Sequence, residues 1–226
     1  METKNPIYIV GEGITEQYYF KHLKKLKNYR CIVKPRFFEK TSLDEIQKTT
    51  DKLLSGDVTV VCVFDTDVSV INKKEAEKLK KFIKKYERNK NVIICDSLPA
   101  IEFWFLLHFI KTNRSFHNNS QLCNELSKHL RNYEKKEHFL EKEEWVLKLV
   151  TKMDAAINNA KTIALCGPYS NVYKAIELLN NQQISTIRII RKFSDWPAFL
   201  QGNRETAQEE LIILLNIKSQ LSGISG

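Results

Sequence analysis

The stretch VTVVCVF, residues 58–64, restricts the fold more than any other part of the chain. It is a continuous run of apolar, mostly β-branched residues, which is typical of a parallel strand covered by helices on both faces. The runs IYIV at 7–10 and VIIC at 92–95 are similar. Because helical spacing of apolar residues separates these runs, the chain alternates strand and helix. This alternation predicts an α/β fold, with a mostly parallel sheet flanked by helices and 58–64 near its centre.

The remaining segments complete this prediction. CIVKPRFF at 31–38 has the composition of a strand, and Pro35 favours an edge position or a bulge. Ser42 is a candidate cap for a helix that follows it. Residues beyond Pro99 have mainly helical patterns, and TIALC at 162–166 and STIRII at 185–190 are the candidates for short strands.

These patterns divide the chain into two parts. We expect residues 1–113 to form the α/β core. We expect residues 114–226 to form a helical elaboration that packs on this core and returns one or two strands to the sheet.

Composition narrows the class of partner and the compartment. The formal charge is +9 and the pI about 9.2, which favours polyanions such as nucleic acid. Five widely spaced cysteines, without a CxxC pair, predict reduced thiols in a cytoplasmic protein. No stretch has the roughly 18 consecutive apolar residues of a membrane span, so no membrane association is expected.

Carboxylates follow two of the predicted strands. Glu12 comes directly after the first strand, with Glu16 about one helical turn later, and Asp65 and Asp67 follow 58–64. Ligands of parallel sheets bind at the carboxyl ends of the strands, so these side chains are expected to converge. Carboxylate oxygens without a nearby His or Cys suit Mg²⁺ or Mn²⁺.

Plainer interpretations exist for each of these residues. A glutamate in the first turn of a helix is favoured by the helix dipole, by about 0.3–1 kcal/mol. An Asp pair after a strand is common in turns, and DxD also occurs in sugar transferases and phosphatases. The combination of strand-GEG with a later strand-DxD is more specific than either motif.

Three segments together resemble a known family. VGEGITEQYYF, VFDTDV and SLPAIEFWFLLHF resemble, in order and spacing, the RloB-like branch of the Toprim fold, and GPYSNVYKAIELL is similar to that branch's C-terminal motif. The resemblance covers about residues 7–180. It implies a Toprim-like sheet and metal-dependent phosphodiester chemistry, because Toprim domains are the catalytic cores of topoisomerases, primases and a group of nucleases.

The resemblance also implies roles for single residues. Glu12 corresponds to the Toprim glutamate, a metal ligand or general acid/base, and Asp65 and Asp67 correspond to the metal-binding aspartates. Glu16 corresponds to the second glutamate of the nuclease branches, and Glu102 to the acid of the third segment. Ser69 stands at the third acidic position of DxDxD, which argues against a topoisomerase and favours cleavage by water.

Lysines are the candidates for contacts with nucleic acid. Lys74, Lys78, Lys81 and Lys85 recur at three- and four-residue spacings and form one stripe of a helix, which we call the basic stripe. It is either a solvated face or a ridge that contacts phosphates. Lys174 is near the start of another helix, where free amides favour anions.

The sequence as a whole predicts a Mg²⁺- or Mn²⁺-dependent endonuclease. The resemblance implies a role in bacterial defence against phage and an AAA-type ATPase partner. This chain has no GxxxxGK[ST] motif, so it is not expected to hydrolyse ATP alone. Two alternatives stay open. One is a regulatory subunit that binds nucleic acid without cutting it, and the other is an enzyme that acts on small phosphates. The sequence does not distinguish DNA from RNA.

Overall fold

The computed structural model describes residues 5–34, 41–67, 70, 72–116, 118–163 and 167–194, with side chains described as far as residue 183. The strands in this part of the chain are β1 (Ile7–Gly11), β2 (Cys31–Lys34), β3 (Thr59–Asp65), β4 (Val92–Leu98) and β5 (Tyr169–Ser170). The helices are α1 (Ile14–Leu26), α2 (Leu43–Leu53), α3 (Lys73–Tyr86), α4 (Glu102–Leu107), α5 (Asn119–Ser127), α6 (Glu137–Leu140), α7 (Glu144–Val150), α8 (Met153–Thr162) and α9 (Tyr173–Ser194).

The five strands form one sheet in the order β2-β1-β3-β4-β5. Its first four strands are parallel, and β5 is antiparallel to β4. The α/β prediction is therefore confirmed, including the central place of residues 58–64. The prediction of an edge strand before Pro35 is also confirmed, since β2 lies at the edge of the sheet; residues 35–38 are outside the described part.

Alternating side chains of β3 enter two different cores, because successive residues of a strand point to opposite faces. Val61 and Val63 belong to the larger core, which also contains Trp104. Phe64 belongs to the smaller core and packs edge-to-face against Phe82 of α3, with ring centroids 5.5 Å apart. Burial on both faces explains why this strand is apolar throughout.

The segment after β4 forms the most buried helix of the larger core. All six residues of α4 are buried. The one polar atom of the Trp104 side chain has a partner, because Nε1 donates a hydrogen bond to the Tyr19 hydroxyl at 2.8 Å. This hydrogen bond and the packing of the six buried side chains hold α4 in place, including Glu102 at its beginning.

Two short-strand candidates have different outcomes. The segment 185–190 is helical, so that prediction is wrong: it continues α9, and no Gly or Pro interrupts the chain between Tyr173 and Ser194. In the other candidate, Thr162 ends α8 and residues 164–166 lie outside the described part. The strand that does return to the sheet is β5.

The chain divides into two units, residues 1–180 and 181–226. The first unit contains the sheet and both cores. In the second unit, the described residues 181–194 are helical. The predicted boundary near residue 113 stays a prediction. None of the described helices is both long enough and apolar enough to cross a bilayer.

Candidate metal and catalytic site

Four carboxylates meet at the carboxyl edge of the sheet, and we call them the acidic cluster. Glu12 follows β1, Glu16 lies in the first turn of α1, Asp65 ends β3 and Glu102 begins α4 after β4. Because β1, β3 and β4 are parallel neighbours, their ends deliver these side chains to one place. A direct contact joins the first two strands, since Glu12 Oε2 accepts a hydrogen bond from the Asp65 amide at 2.9 Å.

Asp67 is placed differently from the other predicted acidic residues. It lies two residues beyond the end of β3 and its side chain is exposed. It is not among the main charges that shift the pKa of Glu16 or Asp65. Its predicted role as a metal ligand stays a prediction.

Asp65 is held at the end of β3 by the start of the next helical segment. Its Oδ1 accepts a hydrogen bond from the Ile101 amide at 2.8 Å, and 16% of its side chain is exposed. Burial raises the pKa of the Asp65 carboxyl well above its usual range, and the negative charges of Glu16 and Glu102 add to this rise. The metal-free site therefore disfavours the ionised form of Asp65, and a cation nearby would favour it.

Glu16 is almost completely buried, and its carboxylate turns back to the beginning of its own helix. Glu16 Oε2 accepts a hydrogen bond from the Gly13 amide at 2.9 Å. Burial raises the pKa of Glu16 to about 7, Lys135 opposes this rise, and the charges of Glu102 and Glu12 add to it. Around neutral pH this carboxyl is close to the point at which it gains or loses its proton.

Gly11 makes room for Glu16. A Cβ atom built on Gly11 would lie 2.8 Å from the Cβ of Glu16, closer than such atoms approach in proteins. A glycine at the end of β1 therefore lets the first turn of α1 pack directly against the strand.

We expect Gly11→Ala to displace Glu16, to destabilise the protein by about 1–3 kcal/mol and to lower divalent-cation affinity. The matched control is Gly56→Ala, whose new Cβ would meet its neighbours at an ordinary 3.7 Å. Urea unfolding and Mn²⁺ titration of both variants test this, and Gly11→Ala behaving like Gly56→Ala would contradict it.

Glu102 is fully buried and has two partners from the helical half of the chain. Glu102 Oε1 accepts a hydrogen bond from the Tyr133 hydroxyl at 3.1 Å. Lys135 Nζ lies 3.2 Å from the same oxygen and 3.4 Å from Oε2. The segment between α5 and α6 thus supplies the polar partners of Glu102, which are Tyr133 and Lys135.

Neither Tyr133 nor Lys135 could be predicted as a partner of Glu102 from the sequence. Lys135 belongs to the charged run YEKKEH, which has the composition of a solvated loop, and it is one of 36 lysines and arginines. The only available signal was indirect: a buried acidic residue at position 102 needs a partner. The spacing between the two residues does not identify that partner.

A second polar network holds the turn between Asp65 and Asp67. Thr66 donates its hydroxyl to the Ser97 carbonyl at 3.0 Å, and its amide bonds the same carbonyl at 2.9 Å. On the other side of β4, Asp96 accepts hydrogen bonds from the Tyr169 hydroxyl at 2.7 Å and from the Asn171 side chain at 2.8 Å. The GPYSN segment is therefore tied to the strand next to the acidic cluster.

The predicted nucleic-acid lysines lie outside the acidic cluster. The basic stripe is on α3, where Lys78 pairs with Asp44 at 3.2 Å and Glu75 at 3.1 Å, and Lys85 pairs with Asp51. Lys174 is exposed in the first turn of α9. Exposed pairs of this kind contribute little, so they leave these lysines available to exchange partners.

The donor set of the acidic cluster fits a hard divalent cation, because its oxygens belong to carboxyl groups and a cation would favour the ionised forms of Glu16 and Asp65. Among the described residues, however, no three Asp, Glu, His or Cys side chains already surround one point as ligands. The ammonium of Lys135 contacts two of the four carboxylates, Asp65 and Glu102.

Comparison with known protein families identifies the family of the chain. The model of the RloB-like protein family matches residues 7–179, which is most of the chain. The chain belongs to the RloB-like family. The matched range runs from β1 into α9 and so includes every residue of the acidic cluster. No curated protein and no solved structure matched the chain.

Proposed function

We propose that this RloB-like chain is a Mg²⁺- or Mn²⁺-dependent endonuclease with a Toprim-like site. The observation that carries the proposal is the acidic cluster: four carboxylates from neighbouring strand ends, with the pKa values of Glu16 and Asp65 raised. Carboxylates held close together repel one another, and a bound divalent cation would relieve that repulsion. The net charge of +9 supports a polyanionic substrate.

The residues would have two tasks, which are to hold the ion and to fix the positions of its ligands. Glu12, Glu16, Asp65 and Asp67 would hold the ion, with Glu102 as a more distant member. The Ile101 amide fixes Asp65, and the Gly13 amide fixes Glu16. A bound Mg²⁺ or Mn²⁺ would lower the pKa of a water and stabilise charge on the scissile phosphate.

The family resemblance extends the proposal to biology. We propose that the protein acts in the cytoplasm in defence against phage, with an AAA-type ATPase as its partner. A nuclease of this kind has to be restrained in its host, so the isolated chain is expected to need an activator for full activity.

A substrate panel tests the activity. Plasmid DNA, single-stranded DNA and transfer RNA are incubated with the protein in Mg²⁺, Mn²⁺ or EDTA, with and without a candidate AAA-type ATPase partner. Cleavage that EDTA abolishes is the expected result. Nucleic-acid binding without cleavage in every condition would favour the regulatory-subunit alternative. Turnover of nucleotides or nucleotide sugars with intact polynucleotides would favour the small-phosphate alternative.

The basic stripe yields a separate prediction. Replacing Lys74 and Lys81 with glutamate is expected to weaken nucleic-acid binding and to reduce the salt dependence of the binding constant by about two phosphate contacts. The control is Lys80→Glu/Lys84→Glu, which makes the same charge change on another face of α3. Filter binding at several salt concentrations compares the two. Equal effects of the two double variants would show that only net charge matters and would remove the stripe as an interface.

A further inference from the structure

Lys135 stands within the acidic cluster although it comes from the segment between α5 and α6. Its Nζ lies 3.2 Å from Glu102 Oε1 and 3.9 Å from Asp65 Oδ2, so the ammonium bridges two carboxylates. The neighbouring Lys136 points elsewhere and pairs with Glu134 at 2.8 Å. Adjacent lysines thus have different environments, and only the first reaches the site.

The two contacts of Lys135 differ in strength. Glu102 is fully buried and is also held by Tyr133, so this carboxylate is a fixed anchor. Asp65 is farther away and has its own anchor in the Ile101 amide. Asp65 can therefore lose the ammonium without losing its position.

Lys135 also has a way out of the site. Of its side chain, 37% is exposed, whereas Glu102 is 0% exposed. The lysine stem is flexible, and its ammonium is a compact cation that water solvates well. Movement of Lys135 toward solvent requires no rearrangement of the buried aromatic core.

Electrostatic interactions favour replacement of the Lys135 ammonium by a divalent cation. The ammonium lowers the pKa values of Glu16 and Asp65, which burial and mutual repulsion raise. The Lys135 ammonium brings one positive charge to Glu102 and Asp65, and a divalent cation would bring two. In the metal-free arrangement, the ammonium stands where two of the candidate ligands face each other.

We propose that Lys135 is the exchangeable counter-ion of the acidic cluster: its ammonium bridges Glu102 and Asp65 in the metal-free chain and leaves Asp65 when a divalent cation binds. This inference rests on the proposed function. It makes Lys135 a competitor of the cation, so removal of the ammonium strengthens cation binding. It also makes the metal-free protein depend on Lys135 for stability, because Glu102 would otherwise be buried without its ion pair.

Calorimetric titration with Mn²⁺ alone tests the exchange on the full chain. Lys135→Met keeps the length of the stem and removes the charge, and it is expected to bind Mn²⁺ about tenfold more tightly than the parent, a change of roughly 1.4 kcal/mol. Lys136→Met is the matched control and is expected to bind as the parent does. Lys135→Met with unchanged or weaker Mn²⁺ binding would overturn the inference.

A second variant covers the case in which Lys135→Met does not fold. Lys135→Arg keeps the charge and can grip the Glu102 carboxylate with two parallel hydrogen bonds, so it is expected to bind Mn²⁺ less tightly than the parent. Tighter binding by this variant would overturn the inference.

The two proposals fail in different ways. Absence of Mn²⁺ binding in the parent and in both Lys135 variants would overturn the proposed function together with the exchange. Mn²⁺ binding that is weakened by Asp65→Asn but unchanged by both Lys135 variants would overturn the exchange alone.

Discussion

Asp65→Asn is expected to lower nucleic-acid cleavage by about 10³-fold or more, under whichever conditions the parent cleaves. The asparagine removes the charge of a candidate ion ligand while its side-chain oxygen can still accept the hydrogen bond from the Ile101 amide. The loss of activity should therefore come without a loss of folding.

The melting temperature distinguishes loss of an ion ligand in Asp65→Asn from loss of folding. Because the pKa of Asp65 is raised in the folded protein, its ionised form is disfavoured there, and removing the charge is expected to leave the melting temperature in EDTA unchanged or higher. The control is Asp57→Asn, at an exposed position before the opposite end of β3. It should cleave as the parent does. Full cleavage by Asp65→Asn would remove Asp65 from the site.

Glu16→Gln is expected to stabilise the metal-free protein at alkaline pH. The pKa of Glu16 is raised from 4.5 to about 7, so between these values the folded chain holds a proton that the unfolded chain has lost. Stability contributed by that proton is present below pH 4.5 and is lost as the pH rises to about 7. Glutamine does not ionise and escapes this loss, which amounts to about 3 kcal/mol at most, from roughly 1.36 kcal/mol per pKa unit.

The measurement is urea unfolding of parent and variant in EDTA at pH 4.5 and pH 8, taken as a difference between the two proteins. The difference in the free energy of unfolding, Glu16→Gln minus parent, should be larger at pH 8 than at pH 4.5. Glu45→Gln is the control, because Glu45 occupies the same position in the first turn of α2 but its pKa is lowered by hydrogen bonds from Ser42. That variant should lose stability at pH 8. A Glu16→Gln protein no more stable than the parent at pH 8 would contradict the burial of an ionised Glu16.

The central part of the fold was predictable because burial of a strand on both faces produces a continuous apolar run in the sequence. Residues 58–64 are apolar throughout because both faces of β3 are covered, and that pattern is visible in the sequence. Short elements lack such a signal: β5 has two residues and is a strand only because it pairs with β4. The β-branched run at 185–190 predicted a strand but is helical, because the helix that begins at Tyr173 continues through it.

The candidate site was predictable to the same extent. The rule that parallel strands present their carboxyl ends at one edge led us to expect Glu12, Glu16, Asp65 and Asp67 together. The structure brings the first three together and leaves Asp67 exposed. The rule could not supply Lys135, because its contact with Glu102 spans 33 residues and depends on how α5 and α6 pack. It also could not show that Gly11 is needed by Glu16, which is a matter of distances below 3 Å.

The Mn²⁺ binding isotherm of the parent and of Asp65→Asn at pH 8 tests the central claim most directly, because binding of the ion does not require the substrate or an activator. At this pH, above the pKa of about 7 of Glu16, the ionised form of that carboxyl is favoured. We predict that the parent binds Mn²⁺ and that Asp65→Asn loses at least about tenfold in affinity. Equal Mn²⁺ binding by the two proteins, or none by either, would contradict the assignment of the acidic cluster as the metal centre of a nuclease.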